Sequence, residues 1–139
     1  MNCPNCGAPM QLVRDRDYWA CSYCATFYFP QENDEGVRVL GEESHLRCPV
    51  CREYLVSGAV EQAPVLFCQR CRGILAEPPD FRRIVDLRRR SSAKKEHVLH
   101  PLDASELERV ILCPRCHQQM DTHPYYGPGN AVVDSCGRC

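Results

Sequence analysis

All the cysteines of this chain lie in Cys-x-x-Cys turns, and the turns pair up along the sequence. A two-residue gap lets both sulfurs of a turn approach one ion at about 2.3 Å, and two such turns complete a tetrahedral site of four thiolates. The spacers between paired turns have 14, 16 and 19 residues, which is the length of a β-hairpin. The pattern predicts three closed metal sites with these ligands: Cys3, Cys6, Cys21 and Cys24; Cys48, Cys51, Cys68 and Cys71; Cys113, Cys116, Cys136 and Cys139.

The spacing favours zinc, as three structural Zn²⁺ ions. Iron prefers the same sulfur cage in rubredoxin-like sites, and paired thiols also carry out redox chemistry, so both remain as alternatives. Residues 113–117 read Cys-x-x-Cys-His, the attachment motif of c-type haem, but haem would leave Cys136 and Cys139 without a role.

Each repeat is small for its number of ligands. The chain has 139 residues and 12 cysteines, so one repeat with its flanks has about 45 residues, a size at which an apolar core alone rarely suffices. A structural zinc ion contributes roughly 10–16 kcal/mol of apparent binding free energy in finger peptides. We therefore expect the metal to hold each repeat together and the metal-free chain to be largely unfolded.

The sequence also indicates a compartment. The first cysteine is residue 3, with no charged and apolar leader before it, and no window approaches the roughly 18 apolar residues of a membrane span. We expect a cytoplasmic protein with no membrane association, because thiols stay reduced there and bind metal.

The formal net charge changes when the sites are loaded. It is −1 with neutral thiols, and twelve thiolates with three Zn²⁺ ions would take it to −7. A generic basic nucleic-acid binder does not have this charge, so the balance favours a protein partner.

The predicted fold is small, metal-stabilised and mainly β, with three tandem four-cysteine zinc ribbons joined by short helical linkers. A ribbon is a β-hairpin with a third strand. The expected units are ribbon one at 1–30, an acidic linker at 31–44, ribbon two at 45–79, a basic helix, linker and short helix at 80–112, and ribbon three at 113–139. Because the sequence stops at a ligand, we expect ribbon three to be truncated at its C-terminus.

Local patterns place the strands. Ribbon one should have strands at 10–13, 18–21 and 26–29. Its aromatic residues Trp19, Phe27 and Phe29 are expected to cover the metal site and form the small core.

Ribbon two should have a hairpin of strands 54–56 and 64–67 around a Ser57-Gly58 turn, and a third strand at Ile74–Leu75. Asp80 should then cap the basic helix. A second short helix is expected after Asp103, its N-cap.

Two features are candidate contact sites. Residues 82–95 carry seven basic side chains against one acid, and they are the best candidates for contact with nucleic acid: Arg82, Arg83, Arg88, Arg89, Arg90, Lys94 and Lys95. A solvated helix face is the simpler explanation of that run. Tyr125 and Tyr126, at the tip of the third hairpin, are candidates for contact with a protein partner or for stacking on bases.

The knuckles resemble a known family. Residues 3–10 look like the opening knuckle of bacterial zinc-ribbon proteins, and residues 48–51 with 68–75 resemble the transcription-factor-IIB-type zinc-ribbon family, as do residues 113–116 with 136–139. That family follows its second knuckle with Trp-Leu-Asp, where this chain has residues 74–76 as Ile-Leu-Ala. The resemblance implies the ribbon fold, bound zinc and a transcription-related role.

These observations point away from catalysis. A catalytic zinc keeps an open position for water, whereas four thiolates close the site, and no P-loop, dinucleotide fingerprint or Ser/His/Asp arrangement is present. We therefore expect a non-enzymatic zinc protein that presents surfaces to a protein partner and takes no small-molecule substrate. Nucleic-acid binding through 82–95 is the first alternative, and a thiol redox sensor or zinc buffer is the second.

Overall fold

The computed structural model describes residues 1–92, 101–125 and 131–139. These residues form three antiparallel sheets in sequence, and each sheet lies beside one group of four cysteines. The predicted fold class, mainly β with three tandem four-cysteine units, is confirmed. Below, the units are called ribbon one, ribbon two and ribbon three.

Ribbon one has a three-stranded sheet of order β1-β2-β3. Its strands are β1 (Gln11–Val13), β2 (Tyr18–Ala20) and β3 (Phe27–Tyr28). Trp19 is only 7% exposed and packs with Met10, Cys3 and Cys21, as expected for a core residue.

The expected core role of Phe27 and Phe29 is wrong, because these side chains are 56% and 59% exposed. The register pairs Phe27 with Ala20 and Tyr28 with Trp19. Since successive side chains of a strand alternate between faces, Phe27 falls on the face opposite the buried indole. There the ring of Tyr18 lies 5.6 Å from that of Phe27 and 5.1 Å from that of Phe29, between centroids.

Ribbon two is larger than predicted and has a sheet of order β4-β5-β6-β7. Its strands are β4 (Arg38–Arg47), β5 (Tyr54–Val60), β6 (Ala63–Phe67) and β7 (Ile74–Leu75). The prediction of a linker over 31–44 is wrong for residues 38–44, which pair with β5. Val37 is fully buried just before β4, and the side chain of Asn33 fixes this entry by accepting from its N–H at 2.9 Å.

The predicted turn at Ser57-Gly58 is also wrong, because β5 runs through both residues and the hairpin turns at Glu61 and Gln62. A Cβ at Gly58 would lie 2.9 Å from Cγ1 of Val37 and 3.3 Å from the carbonyl oxygen of Arg38. Gly58 therefore lies inside strand β5, where the absence of a side chain lets the chain at Val37 and Arg38 approach closely. In sequence, a Ser-Gly pair with this role looks the same as one that forms a turn.

Ribbon two has two buried clusters. The one beside its metal site contains two of the ligands, Cys48 and Cys68, together with Leu46 and Leu55, whereas the larger apolar cluster contains no ligand. It consists of buried side chains of β5, β6 and the entry to β4, with Ile84 of the following helix packed against them: Val37, Val56, Val60, Val65 and Phe67. That helix, α1 (Pro78–Ser92), begins two residues before the predicted cap Asp80, which lies in its first turn. Proline suits a first helical position because its missing N–H would have no partner there.

Ribbons one and two pack directly on each other. The indole N–H of Trp19 donates to the carbonyl oxygen of Leu40 in β4 at 3.1 Å, in a buried position. Ion pairs link Arg38 to Asp17 at 3.2 Å and Arg14 to Glu42 at 2.8 Å. The segment predicted to separate the two ribbons thus forms their contact.

Ribbon three follows a short 3-10 helix (Ala104–Glu108), whose N-cap Asp103 accepts from the N–H of Ser105, as predicted for a capped element. Its sheet has two strands, β8 (Asp121–Pro124) and β9 (Val132–Ser135). Arg109 pairs with Asp134 of β9 at 2.9 Å and so ties the entry of the ribbon to its sheet.

Within the part of the chain that the structure describes, no helix has the length and apolar character needed to cross a membrane.

Candidate metal centres

Each group of four cysteines has the dimensions of a four-thiolate metal site. The four sulfurs of each group lie within 4.8 Å of one another. Sulfur–sulfur distances are 3.6 Å for Cys3–Cys24, 3.5 Å for Cys51–Cys68 and 3.8 Å for Cys113–Cys139. A tetrahedron with bonds of about 2.3 Å requires about 3.8 Å between sulfurs. A disulfide would need about 2.05 Å, so the groups fit a metal ion and contain no disulfide.

The sulfurs are positioned by a repeated backbone turn. In five of the six knuckles, the N–H of the residue after the second cysteine donates to the carbonyl oxygen of the first. Those bonds are Gly7 to Cys3, Ala25 to Cys21, Arg52 to Cys48, Arg72 to Cys68 and His117 to Cys113, at 2.8–3.0 Å. The first cysteine's own N–H donates to the carbonyl oxygen five residues on, as Cys48 does to Glu53 at 2.8 Å. Two bonds thus close each loop around its pair of thiols.

The same five residues have a positive φ. The values are 76° for Gly7, 55° for Ala25, 68° for Arg52, 64° for Arg72 and 60° for His117. This left-handed conformation costs a non-glycine residue about 1–2 kcal/mol and persists only where surrounding bonds impose it. The sequence did not reveal these positions, since only one of the five residues is glycine.

The Gly7→Val variant tests this requirement. A β-branched side chain disfavours a positive φ, although no atom lies within 4 Å of a Cβ built at Gly7. We expect zinc affinity at the first site to fall about tenfold, the equivalent of about 1.4 kcal/mol. Chelator competition on the variant measures this, with Gly73→Val as the matched control, because Gly73 has equally open surroundings and no positive φ. Equal affinities in the two variants would show that the backbone conformation at Gly7 contributes nothing.

Burial of the sulfurs differs between the two cysteines of a knuckle. In five knuckles the first cysteine is buried: Cys3, Cys21, Cys48, Cys68 and Cys113. The second cysteine is half-buried or exposed, and Cys6, Cys71 and Cys139 are exposed. Each site therefore lies at the edge of its ribbon, with one side against the core and four thiolates that leave no open position.

The thiols of a metal-free site do not ionise alike. The Thr26 hydroxyl, 3.1 Å from Sγ of Cys24, lowers the pKa of that thiol to about 5, and the N–H of Glu53 lowers the pKa of Cys51 to about 7. In contrast, neighbouring Cys51 raises the pKa of Cys71 to about 12. One thiolate thus forms readily, while a neighbouring thiol that is hydrogen-bonded to it, as Cys71 is to Cys51, keeps its proton. A cation is needed to hold four thiolates, so its binding releases protons and weakens as the pH falls.

None of the histidines in the described residues joins a metal group. His45, His117 and His123 are exposed, and Nε2 of His123 lies 3.0 Å from the hydroxyl of Ser135. His97 and His100 lie outside the described residues. The all-cysteine ligand sets are those that the spacing predicted.

The basic residues of α1 are not equivalent. Arg88 pairs with Glu61 at 2.8 Å, and Arg83 approaches Gln62 at 3.5 Å, so both contact the turn between β5 and β6. Arg82, Arg89 and Arg90 are exposed. Lys94 and Lys95 lie outside the described residues.

The candidate tyrosines of the third hairpin are only partly described. Tyr125 is half-buried, and its ring packs edge-on against Phe81 of α1 at 5.4 Å. Arg89 lies 6.0 Å from the centroid of the same ring. Tyr125 therefore attaches ribbon three to the helix, while Tyr126 lies outside the described residues.

No protein-family model, curated protein or solved structure matches this chain. The resemblance to the transcription-factor-IIB-type zinc ribbons thus remains an expectation from the motifs, and the function must be argued from the sites and surfaces.

Proposed function

We propose that this protein binds three structural zinc ions and uses them to hold ribbons that dock onto a protein partner. Zinc suits the sites because it takes tetrahedral thiolate ligands at the separations observed, and thiolates persist in a reducing compartment such as the cytoplasm. Closed four-thiolate sites support a non-enzymatic role, since a catalytic zinc needs an open ligand position.

The observation that carries the docking role is the exposed aromatic face of ribbon one, which consists of Tyr18, Phe27 and Phe29. Phe27 begins the edge strand β3 and Phe29 directly follows that strand. Both side chains are more than half exposed, although Trp19 already supplies the core on the other face. Exposed apolar side chains grouped on a small rigid ribbon are typical of a protein contact. Aromatic side chains also bind at low entropic cost because they have few rotatable bonds.

The aromatic face is held in a fixed position by contacts on both sides of its sheet. Tyr18 packs against both phenylalanines, and the opposite side of the same sheet is fixed to β4 through the bond from Trp19 to Leu40. A partner would therefore meet preorganised rings, which reduces the entropy lost on binding. In this proposal ribbon one carries the residues that contact the partner, and ribbon two holds ribbon one in position.

The test is a double variant, Phe27→Ser with Phe29→Ser. We expect the protein to keep three zinc ions and its circular dichroism, and to lose a partner that the wild-type chain retains in affinity purification from its source cell. Retention should fall at least about tenfold, since each truncated aromatic anchor removes about 1–2 kcal/mol. Tyr23→Ser is the matched control, because Tyr23 is 86% exposed but outside the packed aromatic face.

The same purification distinguishes the nucleic-acid alternative, which the exposed Arg82, Arg89 and Arg90 favour. Phosphate contacts weaken steeply with salt, whereas an apolar contact does not. Retained nucleic acid that washes off with salt and is lost on neutralising these arginines would replace the protein-docking proposal. Equal partner recovery with the double variant would also contradict it.

A further inference from the structure

A cleft lies between ribbon two and ribbon three. Its volume is about 740 Å³, a size that ligand sites commonly have. One wall comes from the end of β4, the knuckle after it and the start of β5, and the other comes from the first knuckle of ribbon three. The opposing residues are distant in sequence, as Arg52 and Arg115 show.

The cleft is lined by positive charge. Its cationic lining residues are Arg47, Arg52 and Arg115, and no carboxylate is among the described residues that line it. This is unusual in a chain with 18 acidic and 17 basic residues. The metal ligand Cys113 also lines the cleft, with its side chain buried. Among the ion pairs of the described residues, Arg115 pairs with Glu77 outside the cleft, whereas Arg47 and Arg52 pair with no carboxylate.

Arg47 is held in place by contacts with Tyr54 and Arg52. Its guanidinium donates to the hydroxyl of Tyr54 at 2.6 Å and to the carbonyl oxygen of Arg52 at 3.1 Å. It also lies 4.0 Å from the centroid of the Tyr54 ring. These contacts use some of its five donors and leave others for an incoming carboxylate, which arginine binds with two parallel bonds.

The remaining lining is apolar. Pro49, Leu66, Leu112 and Pro114 line the cleft, and Leu112 is 39% exposed. A small inorganic anion would leave this surface in contact with water. A peptide with acidic and apolar side chains would bury it and would pair with the arginines.

We propose that this cleft binds an acidic segment of a protein partner that also carries apolar side chains. The inference rests on the proposed docking function but assigns it a second, separate surface and a partner chemistry. A nucleic acid suits the cleft less well, because Arg47 covers one face of the Tyr54 ring and so takes the place of a stacking base.

The experiment measures fluorescence anisotropy on the full zinc-loaded chain. The probe is a labelled hexapeptide of alternating glutamate and leucine, and the comparison probes are a lysine–leucine peptide, a glutamate–serine peptide and a dodecamer of thymidine. We expect the glutamate–leucine peptide to bind most tightly. Replacing leucine by serine should weaken binding about tenfold through loss of apolar burial.

The variant Arg47→Glu with Arg52→Glu should weaken binding of the glutamate–leucine peptide at least about tenfold. The matched control is Arg82→Glu with Arg90→Glu, which makes the same change of charge on exposed positions of α1 outside the cleft. If the cleft variant loses zinc, the neutral pair Arg47→Gln with Arg52→Gln replaces it, with about threefold weaker binding expected.

Equal loss of binding in the cleft variant and the α1 control would overturn the proposal, as would tighter binding of the oligonucleotide. A cleft variant that changes zinc affinity alone would also overturn it, and would show that these arginines only offset the thiolate charge. The Phe27→Ser, Phe29→Ser variant should leave peptide binding unchanged, so failure at one surface is distinguishable from failure at the other.

Discussion

Removal of the metal is expected to convert most of this chain from a folded β protein to an unfolded one. The strands of ribbons one and three have two to four residues each, too short to be stable without the sites that join them. In ribbon one the buried cluster even includes two ligands, Cys3 and Cys21. A structural zinc ion contributes roughly 10–16 kcal/mol of apparent binding free energy, so its loss removes the main stabilising interaction of these ribbons.

The measurement combines elemental analysis with chelation. We expect three zinc ions per chain before chelation and a loss of far-ultraviolet circular dichroism as they leave. Hydrogen exchange should show ribbon two losing protection last, because one of its two buried clusters, the valines with Phe67, contains no ligand. Full retention of the spectrum after release of all metal would contradict a structural role. If the purified protein were coloured and contained iron, the bound ion would be iron instead of zinc, and the predicted ligand sets would still stand.

Acid should act in the same direction as the chelator. Protons compete with the metal for thiolates, so occupancy should fall as the pH is lowered. A titration with a zinc indicator, run beside the chelation experiment, would follow this release.

The second large effect is expected for Phe67→Ala, at about 3–5 kcal/mol of unfolding free energy. Phe67 is fully buried and packs with the valines of the ribbon-two core. It also directly precedes the ligand Cys68, so the cavity would lie next to the second metal site. Denaturant unfolding of the zinc-loaded protein, followed by fluorescence of Trp19, measures the change.

The matched control is Phe29→Ala, which deletes the same atoms from a side chain that is 59% exposed. Its expected effect is below about 1 kcal/mol, as for most surface substitutions. Similar losses in the two variants would show that the metal alone determines stability and that the ribbon-two core adds little to it.

The metal centres could be predicted from the sequence because their geometry is local. Because only two residues separate the cysteines of a pair, both sulfurs lie on the same turn. A spacer such as residues 7–20 then needs only to bring the second turn of a site back beside the first. Strand β7 and the cap Asp103 also follow from local signals and lie where predicted. The positive φ at Arg52 and His117 could not be predicted, since neither residue type signals it.

Strand β4 was missed because its pattern is weak within its own segment. The acidic run at residues 31–36, just before the strand, predicts a solvated linker. Only some positions of the strand itself face the core. Strand β4 forms because it pairs with β5, which lies further along the chain. The space that receives Val37 exists only because Gly58 of β5 lacks a side chain. Phe27 and Phe29 were misplaced for a related reason, since only the register with β2 decides which face they occupy.

Spacing along the chain is enough to predict the twelve candidate ligands, their grouping into three sites and the mainly β character of the ribbons. These features depend on spacing and on turn chemistry, which act over a few residues. Three other features depend on tertiary contacts: ribbon one packs on β4 through Trp19, an aromatic face is left exposed, and arginines from two ribbons line one cleft. Those features arise from packing between segments such as 47–52 and 112–117, whose separation along the chain gives no sign that they meet.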